Sequence, residues 1–91
     1  MWPRNMRGIC VYLDSVERDL EKLDRPTRKR ILDKIETYLA KDPKGLGKAL
    51  GGEFQGLWRY RIGDFRVIYK IAEKEILIIV ARVGHRKNVY D

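Results

Sequence analysis

The sequence contains one cysteine, Cys10, and one histidine, His85, among its 91 residues. A single cysteine cannot form an internal disulfide, so a disulfide-stabilised scaffold is excluded and a reducing cytoplasm is the expected compartment. No apolar run approaches the ~20 residues needed to cross a bilayer, and we expect no association with a membrane. The opening MWPRNMRGICVYL lacks the apolar stretch and small-residue cleavage site of a secretory signal. We expect residues 1–5 to be an N-terminal extension and the folded part to begin at Met6.

Acidic residues are scarce in the second half of the chain. The sequence has 20 Lys and Arg against 13 Asp and Glu, a net charge of +7. Residues 1–43 have a net charge of +2 and residues 44–91 a net charge of +5. Such an excess favours a polyanionic partner, either nucleic acid or a very acidic protein. The apolar fraction of 44% is normal for a globular domain and argues against disorder.

Hydrophobic periodicity predicts one strand and two helices in the first half. GICVYL (8–13) is a plausible strand, and from Asp14 onward apolar residues recur at helical spacing. Asp24 is suited to cap a second helix because its carboxylate can accept a hydrogen bond from a backbone N–H of the first turn. This second helix should end before Pro43.

Three strands are predicted in the second half, after a glycine-bearing loop at 41–56. They are LWRYRI (57–62), FRVIYKI (65–71) and EILIIVARV (75–83). The expected fold is a single small α+β domain over residues 1–91 with the order β-α-α-β-β-β. Its sheet should be mostly antiparallel, with two helices packed on one face.

The first two of these strands are joined by Gly63-Asp64 alone, which favours a tight type II′ hairpin turn. This turn places Ile62 opposite Phe65 and Arg61 opposite Arg66, because a two-residue turn fixes the register. The helix-facing side should then carry Trp58, Tyr60, Ile62, Phe65, Val67 and Tyr69. The other side should carry Arg59, Arg61 and Arg66 together with Ile68 and Lys70.

Directly opposed like charges destabilise a sheet by a few tenths of a kcal/mol to ~1 kcal/mol. Arg59, Arg61 and Arg66 have no acidic residue on the same strands and face, so packing explains them poorly. An anion bound over them would reverse the sign of the interaction, and the guanidinium fork suits phosphate. The hairpin therefore predicts a phosphate-binding face.

The tail GHRKNVYD (84–91) follows the last predicted strand. Gly84 allows a bend, which would bring His85 and Arg86 to the arginines, with Tyr90 slightly further along. Histidine is the residue type best suited to proton transfer at neutral pH. We therefore expect the tail to supply a titratable group and a stacking group that the hairpin lacks.

These features resemble the RelE/ParE toxin superfamily, and within it the ribosome-dependent mRNA endoribonucleases typified by RelE. The resemblance covers nearly the whole chain. It rests on the helical hairpin after the first strand, on KALGGEFQGLWRYRIGDFRVIY and on VGHRKNVYD. It implies a type II toxin that enters the ribosomal A site and cuts the codon there. It also implies that the 2′-hydroxyl attacks the adjacent phosphate without a metal or other cofactor, leaving a 2′,3′-cyclic phosphate.

The resemblance also implies residue roles. The catalytic set would be Arg59, Arg61, Arg66, His85, Arg86 and Tyr90, and the RNA-binding set Lys48, Lys70 and Lys87. Arg66 matches the arginine that clamps the scissile phosphate, and Arg86 the arginine near the leaving 5′-oxygen. Tyr90 matches the tyrosine that stacks on a base, and Lys87 is expected to add only solvated charge.

One departure from RelE concerns Arg59 and Arg61, which stand where RelE has lysines. A guanidinium keeps its proton at neutral pH and is a poor general base. His85 is therefore the leading candidate for the general acid or base, and Glu53 is a second candidate for the base.

Two other functions remain open. A ParE-like inhibitor of DNA gyrase would share the fold, although such relatives typically lack the full basic-plus-tyrosine set. A non-enzymatic RNA-binding or ribosome-binding module could use the same basic face. Either toxin function implies a small acidic antitoxin as partner, and the ribonuclease also implies the ribosome, through 16S rRNA and A-site mRNA.

Overall fold

Residues 9–72 and 77–85 are described in the computed structural model, and their elements follow the predicted order with four short additions, namely one helix, one strand and two 3₁₀ turns. The strands are β1 (Ile9–Tyr12), β2 (Lys48–Ala49), β3 (Trp58–Ile62), β4 (Phe65–Ala72) and β5 (Leu77–His85). The α-helices are α1 (Asp14–Glu21), α2 (Arg25–Thr37) and α3 (Pro43–Leu46). Single 3₁₀ turns occupy Leu39–Lys41 and Gly52–Phe54. Among the helices of the described residues, none is long and apolar enough to cross a membrane.

Helix α2 begins where the sequence predicts. The Asp24 carboxylate accepts a hydrogen bond of 3.1 Å from the backbone N–H of Thr27. This hydrogen bond satisfies one of the donors that a helix leaves open at its first turn. The side-chain hydroxyl of Thr27, and after it this backbone hydrogen bond, lower the pKa of Asp24, because both favour the charged carboxylate. The predicted N-cap is therefore confirmed.

Residues 41–56 are more ordered than the predicted loop, since they contain α3 and β2. The segment is held to the core by Tyr69, whose buried hydroxyl donates a 2.6 Å hydrogen bond to the carbonyl of Pro43. A Cβ atom at Gly47 would overlap that hydroxyl, so glycine is required there for the chain to pass. The prediction of an unstructured loop was wrong because these short elements depend on a tertiary contact.

The sheet has the strand order β1-β5-β4-β3-β2. The pair β1–β5 is parallel, and the other three pairs are antiparallel. In the β3–β4 hairpin, Ile62 pairs with Phe65 and Arg61 pairs with Arg66. Gly63 has φ +59°, the left-handed backbone that a tight hairpin turn requires and that glycine adopts readily. The predicted register and the mostly antiparallel α+β fold are confirmed.

The helices α1 and α2 pack on one face of the sheet, as predicted. Their buried residues join those of β3, β4 and β5 in one core, which contains Val16, Leu20, Ile31, Ile35, Leu39, Ala40, Ile62, Val67, Tyr69, Ile78, Val80 and Val83. Trp58 and Tyr60 pack against this core, and the Trp58 and Tyr69 rings stack with centroids 6.4 Å apart. These aromatic side chains therefore lie on the helix side of the sheet.

Strand β5 does not end at Val83, and it does not bend at Gly84. It continues to His85, because Gly84 and His85 extend the ladder by pairing with Arg66 and Phe65 of β4. Its register shifts once, where Ile68 pairs with Arg82 and Tyr69 with Val80. Ala81 is thus an extra residue, and the strand contains a β-bulge.

Candidate functional site

The open side of the sheet, opposite the helices, carries the three hairpin arginines, and we call it the arginine face (Arg59, Arg61 and Arg66). Arg61 lies directly opposite Arg66, and Arg59 lies opposite Ile68. A pair that flanks a two-residue turn is hydrogen-bonded, so the next pair, Arg61–Arg66, is of the non-hydrogen-bonded kind in which side chains lie closest. The predicted grouping of the arginines on one face is confirmed.

Strand β2 adds Lys48 to this face. Lys48 pairs directly with Arg59. Lys70 lies on the same face two positions beyond Ile68, opposite Ile79 of β5. The structure thus brings Lys48 and Lys70 to the face on which the sequence predicts RNA binding, and both are exposed.

Ile68 lies in the middle of the arginine face but is only 4% exposed. Its direct neighbours across the sheet are Arg59 on β3 and Arg82 on β5. Long arginine side chains commonly lay their apolar stems over such a residue while their charged heads stay in water. The burial of Ile68 therefore argues that its neighbours lie along the sheet, which limits the freedom of their guanidinium groups.

Arg82 extends the same row across the sheet, and it was not among the site residues predicted from the sequence. Its Nε and Nη2 donate hydrogen bonds of 2.9 and 3.2 Å to the carboxylate of Asp19 on α1. This carboxylate raises the pKa of Arg82 through the hydrogen bonds and the charge. The sequence does contain one indication of its orientation. Val80 and Val83 are three residues apart and can both face the core only if the strand contains a bulge, and this bulge leaves Arg82 on the open side of the sheet.

His85 does not lie on the arginine face, contrary to the prediction. It pairs with Phe65, and the two rings meet edge to face with centroids 5.9 Å apart. Phe65 packs against the core on the helix side. His85 instead lines a pocket of about 380 Å³ beside the end of α1, together with Asp19, Lys22 and Arg82. The predicted placement fails because β5 stays straight through Gly84, so that alternation directs His85 to the helix side.

Glu53 lies at the other end of the sheet. It is exposed in the 3₁₀ turn between β2 and β3, whereas His85 ends β5 beside the β3–β4 turn. The two candidates for proton transfer are therefore at opposite ends of the sheet. The remaining candidates of the tail, Arg86, Lys87 and Tyr90, lie outside the described residues.

The open side of the sheet also has an apolar half, on β1 and β5. Ile9 and Val11 are 53% and 42% exposed. Val11 pairs with Ile79, which in turn pairs with Lys70. Exposed apolar residues beside a basic region are typical of a surface that another protein covers. Within residues 9–72 and 77–85, no cluster of His, Cys, Asp or Glu is arranged to hold a metal ion.

Comparisons with known proteins identify relatives over nearly the whole chain. A family model described as the ParE toxin of the type II toxin–antitoxin system parDE matches residues 11–90. Toxin RelG of Mycobacterium tuberculosis is 28% identical over 79 residues, covering 87% of this chain and 91% of that protein. Toxin RelE of the same organism is 29% identical over 73 residues, covering 80% and 75%.

Among solved structures, the chain is similar to one in the toxin–antitoxin complex RelBE2 of Mycobacterium tuberculosis. The TM-score is 0.80 with 26% identity, and the match covers 88% of this chain and 99% of that chain. Residues 11–90, which the family model matches, contain the helices, the hairpin and β5, so the arginine face lies within the matched part of the chain.

Proposed function

Because the chain belongs to the ParE toxin family of type II toxin–antitoxin systems, we propose that it is a toxin that cleaves mRNA in the ribosomal A site. The observation that carries this proposal is the direct pairing of Arg61 with Arg66, extended by the pairing of Arg59 with Lys48. Four cations on adjacent strands form a surface suited to the backbone of a single RNA strand. The cytoplasm, where ribosomes occur, is the proposed compartment.

The proposed reaction is an internal transfer at one phosphate. The 2′-oxygen forms a bond to phosphorus, the bond from phosphorus to the 5′-oxygen breaks, and the 2′-proton is lost while the 5′-oxygen gains one. Negative charge accumulates on the non-bridging oxygens in the pentavalent transition state. Arg66 and Arg61 would stabilise this charge as fixed donors that do not reorganise during the reaction. Holding the 2′-oxygen in line with the leaving oxygen would add an orientation term.

The other residues have supporting roles in this scheme. Arg59 and Lys48 would bind the RNA backbone beside the scissile phosphate, and Lys70 the strand beyond it. From the resemblance, Arg86 would act near the leaving oxygen and Tyr90 would stack on a base, with Lys87 adding charge. His85 packs against Phe65 on the helix side, so we assign it no proton transfer and treat it as a part of the strand end.

An antitoxin is the proposed protein partner, since the similar chain of known structure is part of a toxin–antitoxin complex. The open side of the sheet offers it a basic half and an apolar half around Ile9 and Val11. A short acidic chain with interspersed apolar residues would complement both halves. Its binding would cover the arginine face and exclude RNA.

Inhibition of DNA gyrase is the second candidate function, and the observation that favours it is that the matching family model describes ParE toxins. The two functions predict different molecular damage. A gyrase inhibitor would leave mRNA intact and trap gyrase on cleaved DNA, whereas the proposed ribonuclease would cut mRNA and leave gyrase unaffected.

The deciding experiment adds the purified protein to a translation extract and maps the mRNA by primer extension. We expect cuts within codons only when ribosomes are present, and 5′-hydroxyl ends that need phosphorylation before ligation. The same mRNA without ribosomes is the control for ribosome dependence. Intact mRNA, with trapped gyrase–DNA complexes in a parallel assay, would overturn the proposal.

The role of Arg66 is tested in the same extract. We expect Arg66→Ala to lower the cleavage rate by about 10²-fold, as for the loss of a transition-state donor. Arg25→Ala is the matched control, because Arg25 is an exposed arginine at the start of α2, on the opposite side of the sheet. Undiminished cleavage by folded Arg66→Ala protein would show that this arginine is not the phosphate clamp.

A further inference from the structure

Strand β5 extends beyond the end of its neighbour β1, and side chains of α1 cover the part of the β5 edge that β1 leaves unpaired. β1 ends at Tyr12, which pairs with Val80. Beyond that point the outer edge of β5 would present open backbone groups. Ser15 of α1 donates from its hydroxyl to the carbonyl of Ala81 at 2.6 Å, and the Asp19 carboxylate accepts from the N–H of Val83 at 2.9 Å. Two α1 side chains thus cap the edge on either side of Arg82.

These two contacts lie at the bulge residue Ala81 and two residues after it, at Val83. Val80 and Val83 both face the core, although they are three residues apart, which a regular strand does not permit. The extra residue Ala81 restores the alternation, so Val83 is buried and Arg82 stays outside. The bulge also decides which face every later residue of β5 occupies, since a one-residue slip exchanges the two faces.

Asp19 is the one buried charged side chain among the described residues, with 8% exposure. Burial of a carboxylate costs several kcal/mol unless hydrogen bonds and an opposite charge compensate. A neutral oxygen acceptor would satisfy the N–H of Val83 equally well. The charge is needed for Arg82, whose guanidinium it binds through two hydrogen bonds while 45% of that side chain stays exposed. A stability role alone therefore explains this carboxylate poorly.

The contacts of Asp19 lie close to the arginine face. Val83, which it holds, is followed by Gly84, and Gly84 pairs directly with Arg66. Arg82, which it also holds, is the neighbour of Ile68 in the row that contains Arg59. The same carboxylate thus fixes the strand beside Arg66 and draws the charge of Arg82 toward the sheet edge.

We propose that Asp19 is a positioning residue for the cleavage reaction, which holds the end of β5 and the guanidinium of Arg82 in the arrangement that Arg66 requires. This inference rests on the proposed ribonuclease function. Asp19 touches no substrate and acts through Val83 and Arg82. The strand end that it fixes is also the point from which the chain continues to Arg86.

Asp19→Asn tests the proposal because the amide oxygen can still accept from Val83 while the charge is lost. Cleavage is measured at saturating ribosome concentration, which gives the maximal rate, and over a ribosome titration, which gives the half-saturating concentration. We expect the maximal rate to fall about tenfold to 100-fold, as for a small misplacement of catalytic groups, with half-saturation unchanged within about twofold. Asp33→Asn is the matched control, since Asp33 is an exposed carboxylate that pairs with Lys29 on the surface of α2.

Arg82→Gln provides a second variant that leaves the core untouched, because Arg82 is exposed. We expect the same loss of maximal rate, and no further loss in the double variant, since both changes break one contact. Cooperative unfolding of each variant establishes that it is folded. A wild-type maximal rate in folded Asp19→Asn and Arg82→Gln protein would overturn this inference alone. Wild-type protein that cuts no mRNA would overturn the proposed function and this inference with it.

Discussion

Arg61 and Arg66 face each other across the β3–β4 hairpin in the second pair from the turn, a non-hydrogen-bonded pair in which side chains of opposing strands are closest. Like charges in this position weaken a hairpin, whereas a bound phosphate would be attracted by both. The same pair of arginines therefore lowers the stability of the free protein and favours the binding of a phosphate. A change that relieves the repulsion should stabilise the free protein and impair the proposed cleavage.

Arg61→Gln tests this opposition. We expect the free energy of unfolding to rise by about 0.2–1 kcal/mol in urea titrations, because one of two opposed charges is removed. We expect the cleavage rate to fall by roughly tenfold or more, because a cation near the scissile phosphate is lost. Arg25→Gln is the control, since it removes an exposed arginine from the start of α2. A destabilised Arg61→Gln protein would contradict the repulsive role of the pair.

His85 gives the second prediction, because its ring packs on Phe65 and lies on the helix side of the sheet. A general acid or base contributes about 10²–10⁴-fold to a rate. We expect His85→Gln to retain cleavage within about tenfold of the wild-type rate and to leave the shape of the pH–rate profile unchanged. A larger loss, together with a lost limb of that profile, would return His85 to the role of proton donor or acceptor.

The contrast between the arginines and His85 marks how far the sequence can predict this site. The register of Arg61 and Arg66 follows from a two-residue turn with Gly63, which is local information and was predicted correctly. The face of His85 depends on the bulge at Ala81, four positions earlier in β5. The sequence does contain a sign of this bulge, because strict alternation would turn Arg82 into the core and Val83 out of it.

Other features depend on contacts between distant parts of the chain. Asp19 and Arg82 are 63 residues apart in sequence, and no local pattern pairs them. The parallel pairing of β1 with β5 is equally remote, since it joins the two ends of the described chain. The short strand β2 exists beside Arg59 only because the preceding segment is held against the core. Periodicity and capping predict elements, but the long-range contacts decide how their ends meet.

Cys10 gives a prediction about pH. Burial, and then the nearby Glu36 carboxylate, raise the pKa of the Cys10 thiol from 9.0 to about 11. The thiolate is the reactive form, so alkylation by iodoacetamide at pH 8 should be about 100-fold slower in the folded protein than in urea-unfolded protein. The folded thiol keeps its proton longer than the unfolded thiol, so the free energy of unfolding should fall as pH rises from 9.0 to about 11. Equal alkylation rates in both states would contradict the raised pKa.

Tyr69 gives a prediction about stability, through its buried hydrogen bond to the carbonyl of Pro43. Burial raises the pKa of this hydroxyl, which therefore remains a donor throughout the physiological range. Tyr69→Phe should lower the free energy of unfolding by about 1–3 kcal/mol, because it leaves the Pro43 carbonyl without this donor. Tyr38→Phe is the control, since Tyr38 is 49% exposed. Chemical denaturation of both variants measures the difference.

Gly47→Ala should also be destabilising, because the added Cβ would overlap the Tyr69 hydroxyl and displace it from the Pro43 carbonyl. Removal of that hydroxyl relieves part of the overlap, so the double variant should lose less free energy than the sum of the two single variants. Strictly additive losses would show that the two residues do not share this contact.

Because the segment that Tyr69 and Gly47 hold leads directly to Lys48, the single variants should also weaken RNA binding at the Lys48–Arg59 pair. Salt-dependent binding to ribosomes measures that loss, and Tyr38→Phe should leave it unchanged.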